Sequence, residues 1–304
     1  MPGDVVDLLV ETDLTTAERR LCQAATQGRL LDLRVRQAAE DHPAQGPGWG
    51  PERQIRSKVL FQLLSGRGEL EKTFGTPMAV RVRGAQVVGR LNLGGLTLRC
   101  PMELYECYLG GRLDLAKSKA ADISLRGSRL ACRLSARRLR LDHNLNLERL
   151  ACQGGVRLLD AHIGGQFACA GATLTNPNSS GLAVDLERAA VDAVDMTPTI
   201  LRGGIDLTHA RVGGWYDAKD AWPTWLRLEG FTYDAIDAPG VSARSRLRWV
   251  ERHLGGYTPQ PYEQLAGVYR RAGEDSSART VAIAKQQARR ASPGKWWARW
   301  PSRA

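Results

Sequence analysis

From residue 154 to residue 174 the chain reads GGVRLLDAHIGGQFACAGATL, and its apolar residues come in pairs: Val156 and Leu158, Ala161 and Ile163, Phe167 and Cys169, Ala172 and Leu174. Within a pair the step is two residues; between pairs it is three or four. A helix would repeat near 3.6, and a long strand would alternate without a break. The pattern instead describes short strand-like sides joined by corners. Each side sends two residues inward around a single outward one.

The same beat runs from Val80 to Tyr233. Val80, Val82, Ala85, Val87, Leu91, Leu93, Leu96 and Leu98 form one set of eight. The set returns after 21 or 22 residues at Met102, Ile123, Leu145 and Phe167, then beyond the insertion TNPNSSGLA at Val194, and last, in weakened form, at Tyr216. Across the seven sets the polar exceptions are Ser118, Ser128 and Thr199. Eight inward positions per period mean four sides per turn. The expected fold is mainly β: a four-sided, right-handed parallel β-solenoid of about seven turns. At ~4.8 Å per turn the rod would be about 34 Å long. Gly89, Gly110, Gly111, Gly154, Gly155, Gly203 and Gly204 recur at one corner, where positive φ is expected.

One turn cannot bury its own apolar side, so a solenoid needs caps at its ends. LTTAERRLCQAAT carries a capping box, Thr15 with Glu18 three residues on, and predicts a helix. GWGPERQIRSKVLFQLLSG predicts a second, with Pro51 in its first turn and a stripe of Ile55, Val59, Leu60, Leu63 and Leu64. After Tyr233, VSARSRLRWVERHL, PQPYEQLAGVYRRAG and EDSSARTVAIAKQQARR read as three more helices. In the last two, Tyr262, Leu265, Ala266, Tyr269 and Ala278 have the spacing of one tetratricopeptide-type hairpin. The expected organisation is an N-terminal helical cap over 1–79, the solenoid over 80–233, a C-terminal helical segment over 234–290 and a tail over 291–304.

The repeat resembles the pentapeptide-repeat class, whose A-x-L-x-x beat appears at Ala85-Gln86-Val87 and Ala161-His162-Ile163. More narrowly, VRLLDAHIGGQFACAGATLTN and GGYTPQPYEQLAGVYRRAG resemble a bacterial, largely actinobacterial, β-helix family often labelled hypothetical or membrane-associated oxidoreductase. The resemblance covers nearly the whole chain. It implies a helix just ahead of the β-helix and, in longer relatives, a continuation into transmembrane helices. The residues themselves show no glycine-rich dinucleotide fingerprint and no CxxC, so no redox cofactor and no metal is expected.

Composition sharpens the choice of partner. The formal charge is +11, and six of the basic residues fall between Lys285 and Ala304, where there is no acid. Lys295, Trp296, Trp297, Arg299 and Trp300 interleave charge with indole, a pattern suited to an anionic bilayer interface. The N-terminus lacks the features of a signal peptide, and no stretch is long and apolar enough to span a bilayer. The expected location is the cytoplasm, peripheral to the inner membrane face. Six cysteines without metal-ligand spacing read as free thiols, with Cys107, Cys152 and Cys169 facing inward.

Arg90, Arg112 and Arg133 fall on one corner ladder, and Arg126, Arg137, Arg138 and Arg140 crowd the next turns. Like charges at this spacing repel unless neutralised, which makes these seven the candidate anion-binding residues. Two carboxylate ladders, Asp185 with Asp206 and Asp195 with Asp217, are candidates for acid–base work on a polysaccharide. The leading expectation is a non-enzymatic scaffold that binds a protein partner at the membrane face. The alternatives are binding of nucleic acid or another polyanion along the arginine-rich turns, an oxidoreductase, and a polysaccharide-active enzyme. Solenoid ends can also stack, which makes self-association a further expectation.

Overall fold

A computed structural model describes residues 13–178 and 181–292. The strands are short because each side of the coil supplies only two inward residues before it must turn. They stack in parallel and in register, turn upon turn, as four walls. The first wall stacks Val80, Met102, Ile123, Leu145, Phe167, Val194 and Trp215. The second stacks Val87, Leu109, Leu130, Cys152, Leu174 and Leu201. The third stacks Leu91, Leu113, Leu134, Val156, Val184, Ile205 and Leu226. The fourth stacks Ala120, Leu141, Ile163, Val191, Val212 and Tyr233. First and fourth walls share one sheet because strands such as His162–Ala168 bend round the corner between them. This is the expected β-solenoid of about seven turns, and its inward residues form one continuous buried core.

The polar exceptions have specific partners. Ser118 Oγ donates to the Leu93 carbonyl (2.8 Å), and Ser128 Oγ donates to the Leu104 carbonyl (2.8 Å) while accepting the Cys107 N–H (2.9 Å). Each buried hydroxyl thus satisfies backbone groups that a corner takes out of the ladder. Thr199 is exposed, and its neighbour Pro198 is buried instead. The seventh turn corrects the sequence frame by one residue. Trp215 and Asp217 point inward there, Tyr216 is 39% exposed, and Asp217 is opposite Met196 rather than Asp195.

The corners also differ from expectation. Gly89, Gly154, Gly155 and Gly203 have positive φ, but Gly110, Gly111 and Gly204 do not. At two other corners the left-handed position is shared with polar residues: Glu106 and Arg149 alternate with Gly84, Gly127 and Gly171 at one, while Lys117, Arg138, Asp160, Arg188 and His209 hold it between Gly95 and Gly230 at the other. Left-handed backbone costs such residues about 1–2 kcal/mol each. The rung bonds persist through these corners, as in Arg138 N–H to the Leu159 carbonyl (2.7 Å) and Asp160 N–H to the Glu187 carbonyl (2.8 Å).

The N-terminal cap is not purely helical. Leu30–Asp32 and Gln54–Arg56 are strands that lie on the first rungs of the first and second walls, with Leu31 beside Val82 and Ile55 beside Val87. Ile55 therefore sits in a strand rather than in the predicted helical stripe. Helix α1 (Thr16–Thr26) begins with the expected capping box. Glu18 in that box also accepts three bonds from Arg56, the shortest 2.6 Å. Burial would raise the Glu18 carboxyl, but the hydrogen bonds from Arg56 and Thr15 outweigh it and hold the group below its ordinary value. Between the two strands lies the four-residue helix α2 (Ala38–Asp41). Helix α3 (Ser57–Ser65) packs on the first rung of the third wall, and the short α4 (Leu70–Phe74) packs on α1 and α3.

At the other end, α5 (Ala243–Val250), α6 (Pro259–Arg271) and α7 (Asp275–Ala291) close the last turn. Arg246 makes a bidentate pair with Asp217 (2.7 and 2.9 Å), and both side chains are 2% exposed. The Trp215 indole N–H donates to the same carboxylate (2.8 Å), and Trp215 packs edge-on against Phe231 and beside Trp249. Gln260 and Gln264 of α6 donate to the Phe231 and Tyr233 carbonyls at the open edge. Residues 252–254 add one more rung to the third wall through Leu226. Replacing Arg246 with alanine would strand a buried carboxylate. Arg246→Ala should lose about 3–5 kcal/mol of stability, measured by denaturant unfolding.

Candidate anion-binding groove

Register explains how the arginines are placed. Leu91, Leu113, Leu134 and Val156 share a ladder on the third wall, so the residues just before them, Arg90, Arg112, Arg133 and Gly155, share a corner ladder. On the wall itself, Asn92, Asp114, Ser135, Arg157, Asp185, Asp206 and Arg227 form the outward row. A groove of about 530 Å³ runs along this wall. Its lining brings together Arg112, Arg133, Arg137, Arg157 and Arg188 with Ser135, Asp185 and Glu187.

The guanidiniums in it are unequally engaged. Arg188 is held by Asp160 (2.7 Å) and Glu187. Arg112 reaches Asp114 only at 3.8 Å, and its Nε is buried without a partner. Arg133, Arg137 and Arg157 make no ion pair among the described residues. Arg157 Nη1 donates to the Val156 carbonyl (3.3 Å). Burial holds the Arg157 guanidinium below its usual range; Asp185 opposes this and Arg133 adds to it.

The seven candidate arginines therefore do not form one site. Arg112, Arg133 and Arg137 line the groove, while Arg90 is exposed outside it. Arg126 pairs with Glu148 (3.2 Å) and lines a second depression of about 770 Å³ beneath the N-terminal cap. There Arg34 bridges Asp32 (2.8 Å) and Glu106 (3.2 Å), a brace between cap and first wall. Arg138 lies 3.8 Å from Asp160, and Arg140 stands on the fourth wall between Lys119 and His162. Arg157 and Arg188 escape a linear reading because they lie beyond the densest arginine run. The 22-residue step from Ser135 to Arg157 is the signal that finds Arg157.

The carboxylate ladders separate too. Asp195 is opposite Tyr216, and Asp217 is the buried partner of Arg246, so the Asp195–Asp217 pair does not exist. Asp185 and Asp206 do stack. Each accepts the N–H two residues on, from Glu187 (3.2 Å) and Thr208 (2.9 Å). Asn92, Asp114 and Asn146 make the same bond at their own rungs, so this is a corner-holding contact. Arg227 also pairs with Asp206 (2.9 Å).

The inward thiols are buried, and burial pushes Cys107 up to about 12 and Cys152 up to about 11. All six cysteines are unbridged. Among the described residues no cluster of three His, Cys, Asp or Glu side chains is placed to hold a metal, and no helix is long and apolar enough to cross a membrane. The candidate membrane-contact residues Lys295, Trp296, Trp297, Arg299 and Trp300 lie outside the described residues. No family model, curated protein or solved structure matches the chain.

Burial, with Asp206 adding to it, raises the Asp185 carboxyl above its ordinary value. A raised carboxyl binds its proton more tightly in the folded state. Its contribution to stability is then present at low pH and lost as pH rises through the folded-state value. Asp185→Asn keeps the acceptor for the Glu187 N–H and removes the charge. It should stabilise the protein slightly near neutral pH, by less than about 1 kcal/mol, with the gain vanishing in acid. Thermal melts of both proteins across pH check this.

Proposed function

We propose that this protein is a non-enzymatic interaction scaffold that takes an anionic partner against its arginine-rich walls at the cytoplasmic face of a membrane. The observation that carries the reading is the row of guanidiniums on neighbouring rungs of one wall, of which Arg133, Arg137 and Arg157 have no paired carboxylate among the described residues and Arg112 reaches Asp114 only at 3.8 Å. A guanidinium without a counter-charge on a fixed backbone is preorganised to receive an anion. The likeness to a β-helix family associated with membranes supports the location. So does the concentration of basic and indole residues from Lys285 onward. A tail of this composition adds about 1 kcal/mol of attraction per basic residue near an anionic surface.

A second reading is favoured by the exposed arginines at 90, 138 and 140, which lie outside the groove and spread positive charge over several faces. Such a surface suits nucleic acid, and its binding would weaken steeply with salt.

Flotation with anionic and neutral liposomes, over a salt series, separates these readings. The full chain should float with anionic vesicles and be released by salt, and a chain ending at Arg290 should float much less. If neither chain floats while DNA or RNA binds with a steep salt slope, the nucleic-acid reading replaces the scaffold.

A further inference from the structure

The arginine-rich walls were read above as a surface for anions; resting on that reading, we propose that the groove on the third wall is a discrete site for a phosphomonoester, its phosphoryl group held by Arg112, Arg133 and Arg157. The first reason is the break in the corner ladder. After Arg90, Arg112 and Arg133 the next rung is Gly155, where a Cβ would lie 2.6 Å from the Ala183 carbonyl oxygen and 2.8 Å from Arg157 Nη1. No side chain fits there. The space beside the corner is taken by the Arg157 guanidinium, which comes from the wall and is electrostatically coupled to Arg133. Two cations from different rows thus share one end of the groove.

The second reason is its floor. Ser135 is 5% exposed and stands between Asp114 and Arg157 in the outward row. A short hydroxyl among long side chains leaves a hollow and offers a donor. Arg112 borders the same hollow with a buried Nε that has no partner. A carboxylate is satisfied by one bidentate arginine, whereas a phosphoryl group has acceptor oxygens for several donors arriving from different directions.

The third reason is the asymmetry of charge. Asp185 and Glu187 line the groove beyond Arg157. They repel a strand of phosphates continuing along the wall. They can accept hydrogen bonds from hydroxyl or ammonium groups on the body of a small ligand. The groove therefore fits a terminal phosphoryl group on a neutral or cationic body better than a nucleic acid. A volume of about 530 Å³ accommodates a molecule of this size. Two sources have this chemistry: a soluble phosphomonoester and a phosphomonoester lipid headgroup.

The test uses the full chain. Glycerol 3-phosphate is titrated calorimetrically, with sulfate as a simple anion of the same charge. Phosphatidylcholine vesicles with and without phosphatidate are assayed by flotation in parallel. Glycerol 3-phosphate should bind more tightly than sulfate, and Arg133→Gln or Arg157→Gln should weaken it about tenfold or more. Arg90→Gln, outside the groove, should leave it unchanged, and matched melting curves confirm that the variants fold. If the titration is silent but phosphatidate vesicles retain the wild type and release Arg133→Gln, the ligand is the lipid headgroup. Equal binding of sulfate, or binding that Arg133→Gln and Arg157→Gln do not change, overturns the site. If glycerol 3-phosphate does not bind and Arg133→Gln floats with phosphatidate vesicles as well as the wild type does, through the tail, this site falls and the scaffold reading stands.

Discussion

A backbone coiled into a parallel solenoid cannot satisfy its own hydrogen bonds within a turn. Each N–H and carbonyl on a wall points along the rod, so its partner must come from the turn above or below. Everything else follows from keeping that ladder unbroken over about seven turns. The inward pairs must be apolar because they stack on one another away from water. The exceptions, Ser118 and Ser128, are admitted because their hydroxyls bond backbone carbonyls at the corners. The corners bend the chain without losing rung bonds even where the price is left-handed backbone at Arg138, Asp160 or Arg188. Asx contacts at Asn92, Asp114, Asp185 and Asp206 hold the corner that leaves the third wall, and Asn146 makes the same contact at the corner that leaves the first.

The same constraint shapes the ends. An open rung exposes a row of donors and acceptors together with an apolar cross-section. At the N-terminus two short strands continue the first and second walls, and α3 covers the third. Glu18 ties this arrangement together, since it completes the α1 cap and receives Arg56 from the second of those strands. At the C-terminus the terminal rung is closed by glutamine side chains, an added rung at residues 252–254, and the buried Arg246–Asp217 pair beneath Trp215 and Trp249. That pair is charged, inward and one residue out of the apolar frame, because at the last turn the core meets a helix rather than another turn. The contacts of Gln260 and Gln264 give the α6–α7 hairpin a part in this closure.

How much of this was readable follows from the range of each interaction. The inward beat, the capping box at Thr15 and the three C-terminal helices are local or strictly periodic, and sequence spacing reveals them. The strand at Gln54–Arg56 was hidden because its apolar residue, Ile55, fits a helical stripe equally well; only pairing with Val87 decides. The slip at Trp215 was hidden because Tyr216 is as apolar as an inward residue, and the true inward partner is an aspartate that makes sense only with Arg246. The groove was half legible. Arg112 and Arg133 follow from the period, but the roles of Arg157, Gly155 and Ser135 depend on what faces them across a corner. Counting arginines along the chain grouped Arg126, Arg138 and Arg140 with them, although the corners send these three to other faces.

A wall braced in this way is a stiff platform, so its surface charges keep their spacing when a partner approaches. That stiffness depends on the closed ends making the stack open as one unit rather than turn by turn. Native-state hydrogen exchange resolved by residue tests it most directly. The amides of Leu134 and Leu158 in the middle of the rod, and of Leu207 near its end, all donate to the next turn. The account predicts that all three exchange through one common opening, with the same free energy and the same denaturant dependence. Protection that falls stepwise from Leu134 to Leu207 would show the rod fraying from its C-terminal end, and would contradict it.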